Sequence, residues 1–276
     1  VDPDAVLFVE ATPWQPLPSL GLGLTRPDGD GLGAGVVHAG HWYDALTLLT
    51  KRYMPLLGTD PESRRLVIGR RRVQRSFTSQ LARIKSHAEE GMGGIPTIIG
   101  EFGIPFDMND RLAYRTGNFG RQEEALDRSF RALEANLLSG TLWNYTADND
   151  NQWGDQWNGE DLSIFSRDQQ SDPSDPDSGG RALRAAVRPY ASRTAGEPVE
   201  MRFDYRTGAF KFSFRHNPDI EAPTELFLPN LQYPDGYDVD VSDGTYETDQ
   251  ESQRMLYRYS TVQDIHHIRL RRTTKR

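Results

Sequence analysis

The chain has no cysteine in its 276 residues. Disulfides, thiolate metal sites and a cysteine nucleophile are therefore excluded, while the compartment stays open. Long apolar runs are also lacking. Nothing approaches the roughly 18 consecutive residues that a membrane-spanning helix needs. Excess positive charge is missing too: Lys and Arg total 32 against 40 Asp and Glu, for a net charge of −8. That balance argues against broad nucleic-acid binding, which requires a basic footprint. The chain opens Val1-Asp2-Pro3-Asp4, without an initiator Met or a charged-then-apolar signal peptide, and enters an apolar run almost at once. It is expected to begin inside a longer protein, so no localisation is readable.

What is present suits one large or two modest folded domains, with 36% hydrophobic and 26% charged residues. Ala5 to Val9 reads as a buried strand ended by Glu10 and the Pro-rich stretch Pro13 to Pro18, with Gly-rich loop over 20–34. Gly35 to Ala39 reads as a second strand, followed by His41-Trp42-Tyr43-Asp44. Residues 70–90 carry Val73, Phe77, Leu81, Ile84 and Ala88 at helical spacing, with Gly91, Gly93 and Gly94 as the stop. A third strand follows at Ile95 to Gly100. A second helix is expected over about 121–138, with Ala125, Leu126, Phe130, Leu133 and Leu137 on one face and Gly140 as its stop. Leu142-Trp143-Asn144-Tyr145 reads as a fourth strand, 146–180 as a long polar loop with an Asp/Ser/Pro tract, and 180–193 as a last helix. Strand and helix thus alternate, which predicts parallel strands with helical crossovers.

The pattern changes near 197. MRFDY, FKFSF, TELFLP, MLYRYS and IHHIRL are short alternating runs separated by turns such as Arg206-Thr207-Gly208 and Asp243-Gly244. They predict a small antiparallel sandwich. The expected domains are residues 1–195 and 196–276.

Three strand ends carry chemistry: His41-Trp42-Tyr43, then Glu101 within Gly100-Glu101-Phe102-Gly103, then Trp143. In a (β/α) barrel such ends converge on one mouth. A carboxylate, an imidazole, a phenol and an indole together suit sugar chemistry, because pyranose rings stack on indoles and a carboxylate can attack an anomeric carbon. The flanking glycines are expected to let the backbone turn tightly around Glu101.

The order HWYD, GEFG, LWNY resembles the last strands of glycoside hydrolase family 5, a family of retaining β-glycosidases. The longer strings GEFGIPFDMND and LWNYTADNDNQWGDQWNGEDLSIFS resemble its branch of endoglycoceramidases and fungal glucosylceramide and steryl-glucoside β-glucosidases. The resemblance implies an α/β fold, here the C-terminal half of a (β/α)8 TIM barrel (strands five to eight) followed by a β-sandwich. It implies Glu101 as nucleophile, with Tyr43 holding it ionised and aimed. It implies His41 beside the glycone or first aglycone subsite and Trp143 as the floor under the glycone. No cofactor and no metal are expected. The implied substrate is a β-glucoside of ceramide or sterol. One feature of the family is missing: the acid/base Glu follows Asn, and no Asn-Glu occurs in this chain. That group is expected in an absent N-terminal barrel half.

Plainer readings stand beside these. Glu101 could sit in a structural ion pair, Tyr43 and Trp143 could be core aromatics, and His41 a satisfied structural histidine. Glu10, at the mouth, is a candidate substrate contact or a partner for a neighbouring loop. Trp153 and Trp157 could shape an entrance for a lipid aglycone or anchor their loop as buried indoles. Glu160 and Asp161 read as local loop caps, and His38 as structural. The basic tail (Arg269, Arg271, Arg272, Lys275, Arg276) is a candidate for peripheral contact with an anionic membrane, beside the reading of a solvated end. An endo-β-glucanase and a non-catalytic carbohydrate- or lipid-binding protein are the rival functions.

Overall fold

The computed structural model describes residues 5–10 and 35–273. The Pro-rich and Gly-rich stretches expected within 11–34, and Lys275 and Arg276 of the basic tail, lie outside them. The chain divides into two compact units, Val1–Ala182 and Leu183–Arg276.

The first unit is built on a four-stranded parallel sheet. Its strands are β1 (Leu7–Val9), β2 (Val36–His41), β5 (Thr97–Phe102) and β6 (Ser139–Leu142), neighbours in chain order. Between β2 and β5 run α1 (Ala45–Thr50), a hairpin of β3 (Leu57–Asp60) and β4 (Arg65–Ile68), and α2 (Arg70–Gly91). Between β5 and β6 run α3 (Met108–Thr116) and α4 (Gly120–Asn136). Val73, Phe77, Leu81 and Ala88 are buried on α2 as the spacing predicts, and α2 packs against α4.

Several local expectations need correction. β1 is a strand, but its Leu7 and Phe8 side chains are exposed rather than buried on both faces. The fourth strand ends at Leu142, so Trp143 to Tyr145 follow it instead of lying within it. Gly140 does not stop α4. Leu137 takes the left-handed cap at φ 52, while a Cβ on Gly140 would meet the Phe102 ring. The expected helix over 180–193 is only α5 (Leu183–Ala186), followed by strand β7 (Tyr190–Arg193).

The second unit is a sandwich of two antiparallel sheets. In addition to β7 it contains β8 (Gly196–Asp204), β9 (Ala209–His216), β10 (Thr224–Phe227), β11 (Tyr237–Val241), β12 (Thr245–Asp249), β13 (Arg254–Arg258) and β14 (Ile265–Arg272). One sheet has the order β12-β13-β10-β7 and the other β11-β14-β9-β8. Alternate residues point inward: Phe210, Phe212 and Phe214 from β9, Met255 and Tyr257 from β13, Ile268 and Leu270 from β14.

That alternation also turns His266 of β14 into the core, where it is fully buried. A buried imidazole needs partners. His266 Nδ1 faces Asp243 Oδ2 at 2.7 Å and its Nε2 faces His216 Nδ1 at 3.0 Å. Asp243 also accepts from the Ser260 N–H at 2.8 Å. Burial pushes the Asp243 carboxyl up, but bonds from the Ser260 amide, His266, Ser242 and Gln263 outweigh it and hold its pKa well below the usual carboxylate range. A depressed carboxylate stabilises the fold above its unfolded pKa, near about 4, and loses that contribution as pH falls toward the native value. Asp243→Asn is expected to lower stability by about 1–3 kcal/mol at neutral pH. The deficit against the parent should shrink as pH drops below about 4. Urea unfolding of the chain at several pH values checks both.

Candidate functional site: a carboxylate held at a strand end

The site begins with a break in register. β2 and β5 pair Gly40 with Ile99 and then His41 with Glu101, so Gly100 is the extra residue of a bulge. Since strand side chains alternate faces, this single insertion puts Glu101 on the same side as His41. The flanking glycines answer to close neighbours rather than to a sharp turn, because neither has positive φ. A Cβ on Gly100 would lie 2.7 Å from the Ala39 carbonyl oxygen. A Cβ on Gly103 would run into the Trp143 carbonyl. These obstacles are backbone atoms, which cannot swing aside.

Both oxygens of Glu101 face a side chain from the β2 end. The Tyr43 hydroxyl donates to Oε1. His41 Nδ1 lies 3.3 Å from Oε2. The other ring nitrogen of His41, Nε2, is 2.6 Å from Oε2 of Glu10. Glu10, Glu101, His41 and Tyr43 therefore form one chain of polar contacts. Burial, followed by the hydrogen bond and charge of Glu101 and the charges of Glu160 and Asp155, pushes the Tyr43 hydroxyl far above its ordinary range. Tyr43 thus stays a donor. Trp42, between the two site residues, turns the other way: its Nε1 donates to Gln80 Oε1 of α2 at 3.0 Å. That bond fixes the strand end from behind.

Trp143 follows β6, its N–H donating to the Phe102 carbonyl at 2.7 Å. The Trp143–Asn144 peptide is cis. Its indole is partly exposed, and Tyr145, Trp153 and Trp157 are more exposed still. The loop beyond is tied down by buried acids. Asp155 accepts from Asn144 and Asn149 and from the backbone N–H of Leu162 and Ser163. Asp161 is no simple loop cap: it forms a buried ion pair with Arg181 at 2.6 Å, and the Tyr114 hydroxyl donates to it. Residues 171–177 are exposed, and this stretch is laced by Ser and Asp side chains, Ser178 included, bonding nearby backbone.

Sequence reasoning took Glu160 for a local loop cap and not for a site residue. Its N–H donates to the Trp157 carbonyl, and its own carbonyl accepts from Asp155. Burial and the negative charges of Asp155 and Glu101 push the Glu160 carboxyl up, against the opposing charge of Lys51. No hydrogen bond to this carboxylate is made among the described residues. The missed signal was its string, WGDQWNGE, in which the tight turn at Gly154 (φ 61) brings Asp155 against the Glu160 backbone. His38, read as structural, is buried within β2, and burial lowers its pKa. No group of three or more His, Cys, Asp or Glu among the described residues could hold a metal ion.

Chemically, the arrangement offers an aimed carboxylate, Glu101, next in the sheet to a segment that carries a partly exposed indole, with Glu10 on His41 and Glu160 close enough to feel the charge of Glu101. Gly103→Ala is expected to cost about 1–3 kcal/mol by overpacking against the Trp143 backbone. Thermal unfolding of the variant against the parent measures it; an unchanged midpoint would contradict the close approach.

The glycoside hydrolase family 5 C-terminal domain model matches residues 188–270. Over 246 residues the chain is 32% identical to a glucosylceramidase of Rhizopus delemar, covering 81% of this chain and 36% of that protein. It is 37% identical over 139 residues to an ergosteryl-beta-glucosidase of Saccharomyces cerevisiae, covering 46% of this chain and 18% of that protein. The solved structure of Cryptococcus neoformans sterylglucosidase 1 superposes with a TM-score of 0.85 at 29% identity, over 96% of this chain and 41% of that one. The chain thus spans well under half the length of these relatives. Sequence motifs, sandwich and structural likeness converge: this chain belongs to glycoside hydrolase family 5, on the branch that includes fungal glucosylceramidases and steryl-β-glucosidases.

Proposed function

We propose that this chain supplies the nucleophile half of a retaining β-glucosidase acting on a lipid glucoside, with ceramide or sterol as the aglycone. Its parallel sheet is read as strands five to eight of a (β/α)8 barrel; the domain boundary, expected at 195/196, is read instead at 182/183, because β7 (Tyr190–Arg193) pairs within a sandwich sheet. The observation that carries the reading is the double hold on Glu101, by Tyr43 at one oxygen and His41 at the other.

In this reading Glu101 attacks the anomeric carbon and forms a covalent glycosyl-enzyme. A second carboxyl, outside this chain, protonates the leaving glycosidic oxygen. It then takes a proton from water as the sugar is released. Tyr43 keeps its proton and so aims the attacking carboxylate without competing for the sugar. Trp143 is the stacking surface for the glucose ring. Glu160 accepts hydrogen bonds from glucose hydroxyls, and Trp153 and Trp157 meet the lipid aglycone. Glu10 acts through His41, as a positioning residue. The two relatives quoted are named for glucosylceramide and ergosteryl glucoside, which supports the substrate class. No metal or cofactor enters this chemistry.

The test uses the natural protein that contains this segment, assayed on glucosylceramide and steryl glucoside. Glu101→Ala is expected to abolish turnover, and azide should restore it with an α-glucosyl azide as product. A β-glucosyl azide would make Glu101 the acid/base instead. Glu160→Gln is expected to raise KM with kcat little changed; an unchanged KM would remove Glu160 from the sugar site.

A further inference from the structure

α1 ends on Lys51, which takes the left-handed conformation at φ 51. Glycine usually fills that place, because a Cβ makes the conformation costly. Lysine brings a side chain that glycine lacks, and here that side chain has two partners. Lys51 Nζ lies 2.6 Å from Asp107 Oδ2 and donates to the Gly159 carbonyl at 3.0 Å. Lys51 belongs to the connection that follows β2, Asp107 to the one that follows β5 and Gly159 to the one that follows β6. One ammonium therefore joins the connections leaving the three strands that end at or beside His41, Glu101 and Trp143.

Both partners depend on it. Asp107 is buried, and its other oxygen, Oδ1, makes no hydrogen bond among the described residues. A buried carboxylate needs a compensating charge. Residues 156–159 are exposed, and Gln156, Asn158 and Gly159 have positive φ, at 60°, 50° and 66°. For the glutamine and the asparagine that backbone is unfavourable. The turn closes on itself, with the Asp155 N–H donating to the Glu160 carbonyl and the Glu160 N–H to the Trp157 carbonyl. Among the described residues, the Lys51 bond is the single hydrogen bond that holds residues 156–160 to another connection. This turn carries Trp157 and Glu160. Burial, Asp155 and Glu101 push the Glu160 carboxyl up, and the charge of Lys51 opposes them.

We propose that Lys51 is a positioning residue for the sugar site: its ammonium clasps the turn of residues 156–160 to Asp107 and so holds the Glu160 carboxylate where glucose hydroxyls meet it. The inference rests on the reading of Glu160 as an acceptor for those hydroxyls. The plainer role of a lysine at a helix end is to favour the last carbonyls of the helix. That role would leave the turn and Glu160 unaffected by its loss.

The natural protein that contains this segment is compared with Lys51→Met, with Lys51→Arg, and with Lys51→Met combined with Asp107→Asn. The combination removes the pair without leaving a lone buried charge. Hydrogen exchange in peptides covering 153–160 is expected to quicken in Lys51→Met and in the combined variant, and to stay near the parent's in Lys51→Arg. KM for the lipid glucoside is expected to rise about fivefold in the first two, with a smaller effect on kcat. Without the Lys51 charge Glu160 holds its proton to higher pH. The rise of KM on acidification should therefore begin at higher pH in Lys51→Met than in the parent or Lys51→Arg. Unfolding midpoints show which variants fold, and the combined variant carries the test if Lys51→Met does not. Unchanged exchange over 153–160 would overturn the proposal. So would an unchanged KM in the Lys51 variants where Glu160→Gln raises it, and the reading of Glu160 would then stand. An unchanged KM in Glu160→Gln would remove that reading, and the positioning role with it.

Discussion

The pairing of His41 opposite Glu101 is the contact on which the rest of the candidate site depends. It exists because β5 carries one residue more than β2 at Gly100. In a regular ladder Gly100 would stand opposite His41, and Glu101 would fall on the other face of the sheet, away from both the imidazole and the phenol. The bulge in turn requires a residue with no side chain, because the Ala39 carbonyl occupies the space. Gly103 is fixed in the same way by the Trp143 backbone. Two glycines and one register shift thus position a carboxylate, an imidazole, a phenol and the start of the Trp143 segment.

A second layer keeps this arrangement from loosening. Trp42 is tied to Gln80, which donates in turn to the Thr59 carbonyl of β3. The loop after Trp143 is held by Asp155, which collects four donors, and by the buried Asp161–Arg181 pair. Breaking such a pair costs more than forming it gains, because a lone charge would remain buried. A polar loop is thereby given a single conformation beside the strand ends. Its exposed Trp153 and Trp157 are therefore presented outward from a rigid base.

Much of this was legible in the residues. The periodicity of Val73, Phe77, Leu81 and Ala88 locates α2 because helical spacing survives any tertiary context. The alternation of Phe210, Phe212 and Phe214 locates β9 for the same reason. Glu101, Tyr43 and His41 were legible because they end strands in recognisable strings. The hairpin Leu57–Ile68 was not, since Leu66 and Ile68 face outward and Gly58, opposite Val67, hides the inward side. β7 was not, because Tyr190 to Arg193 has too few residues to show a period. Glu160 was not, because its neighbourhood with Glu101 is created by loop folding and not by spacing. The exposure of β1 was missed because a continuous apolar run says nothing about how many neighbours a strand has.

The central claim is that Glu101 carries the sugar. A fluorinated β-glucoside that forms a stable glycosyl-enzyme tests it most directly, with intact mass and peptide mapping of the natural protein. The account predicts one added sugar on the peptide containing Glu101 and none in the Glu101→Gln variant. A label on any other carboxylate, or no label on folded and substrate-binding protein, would contradict it.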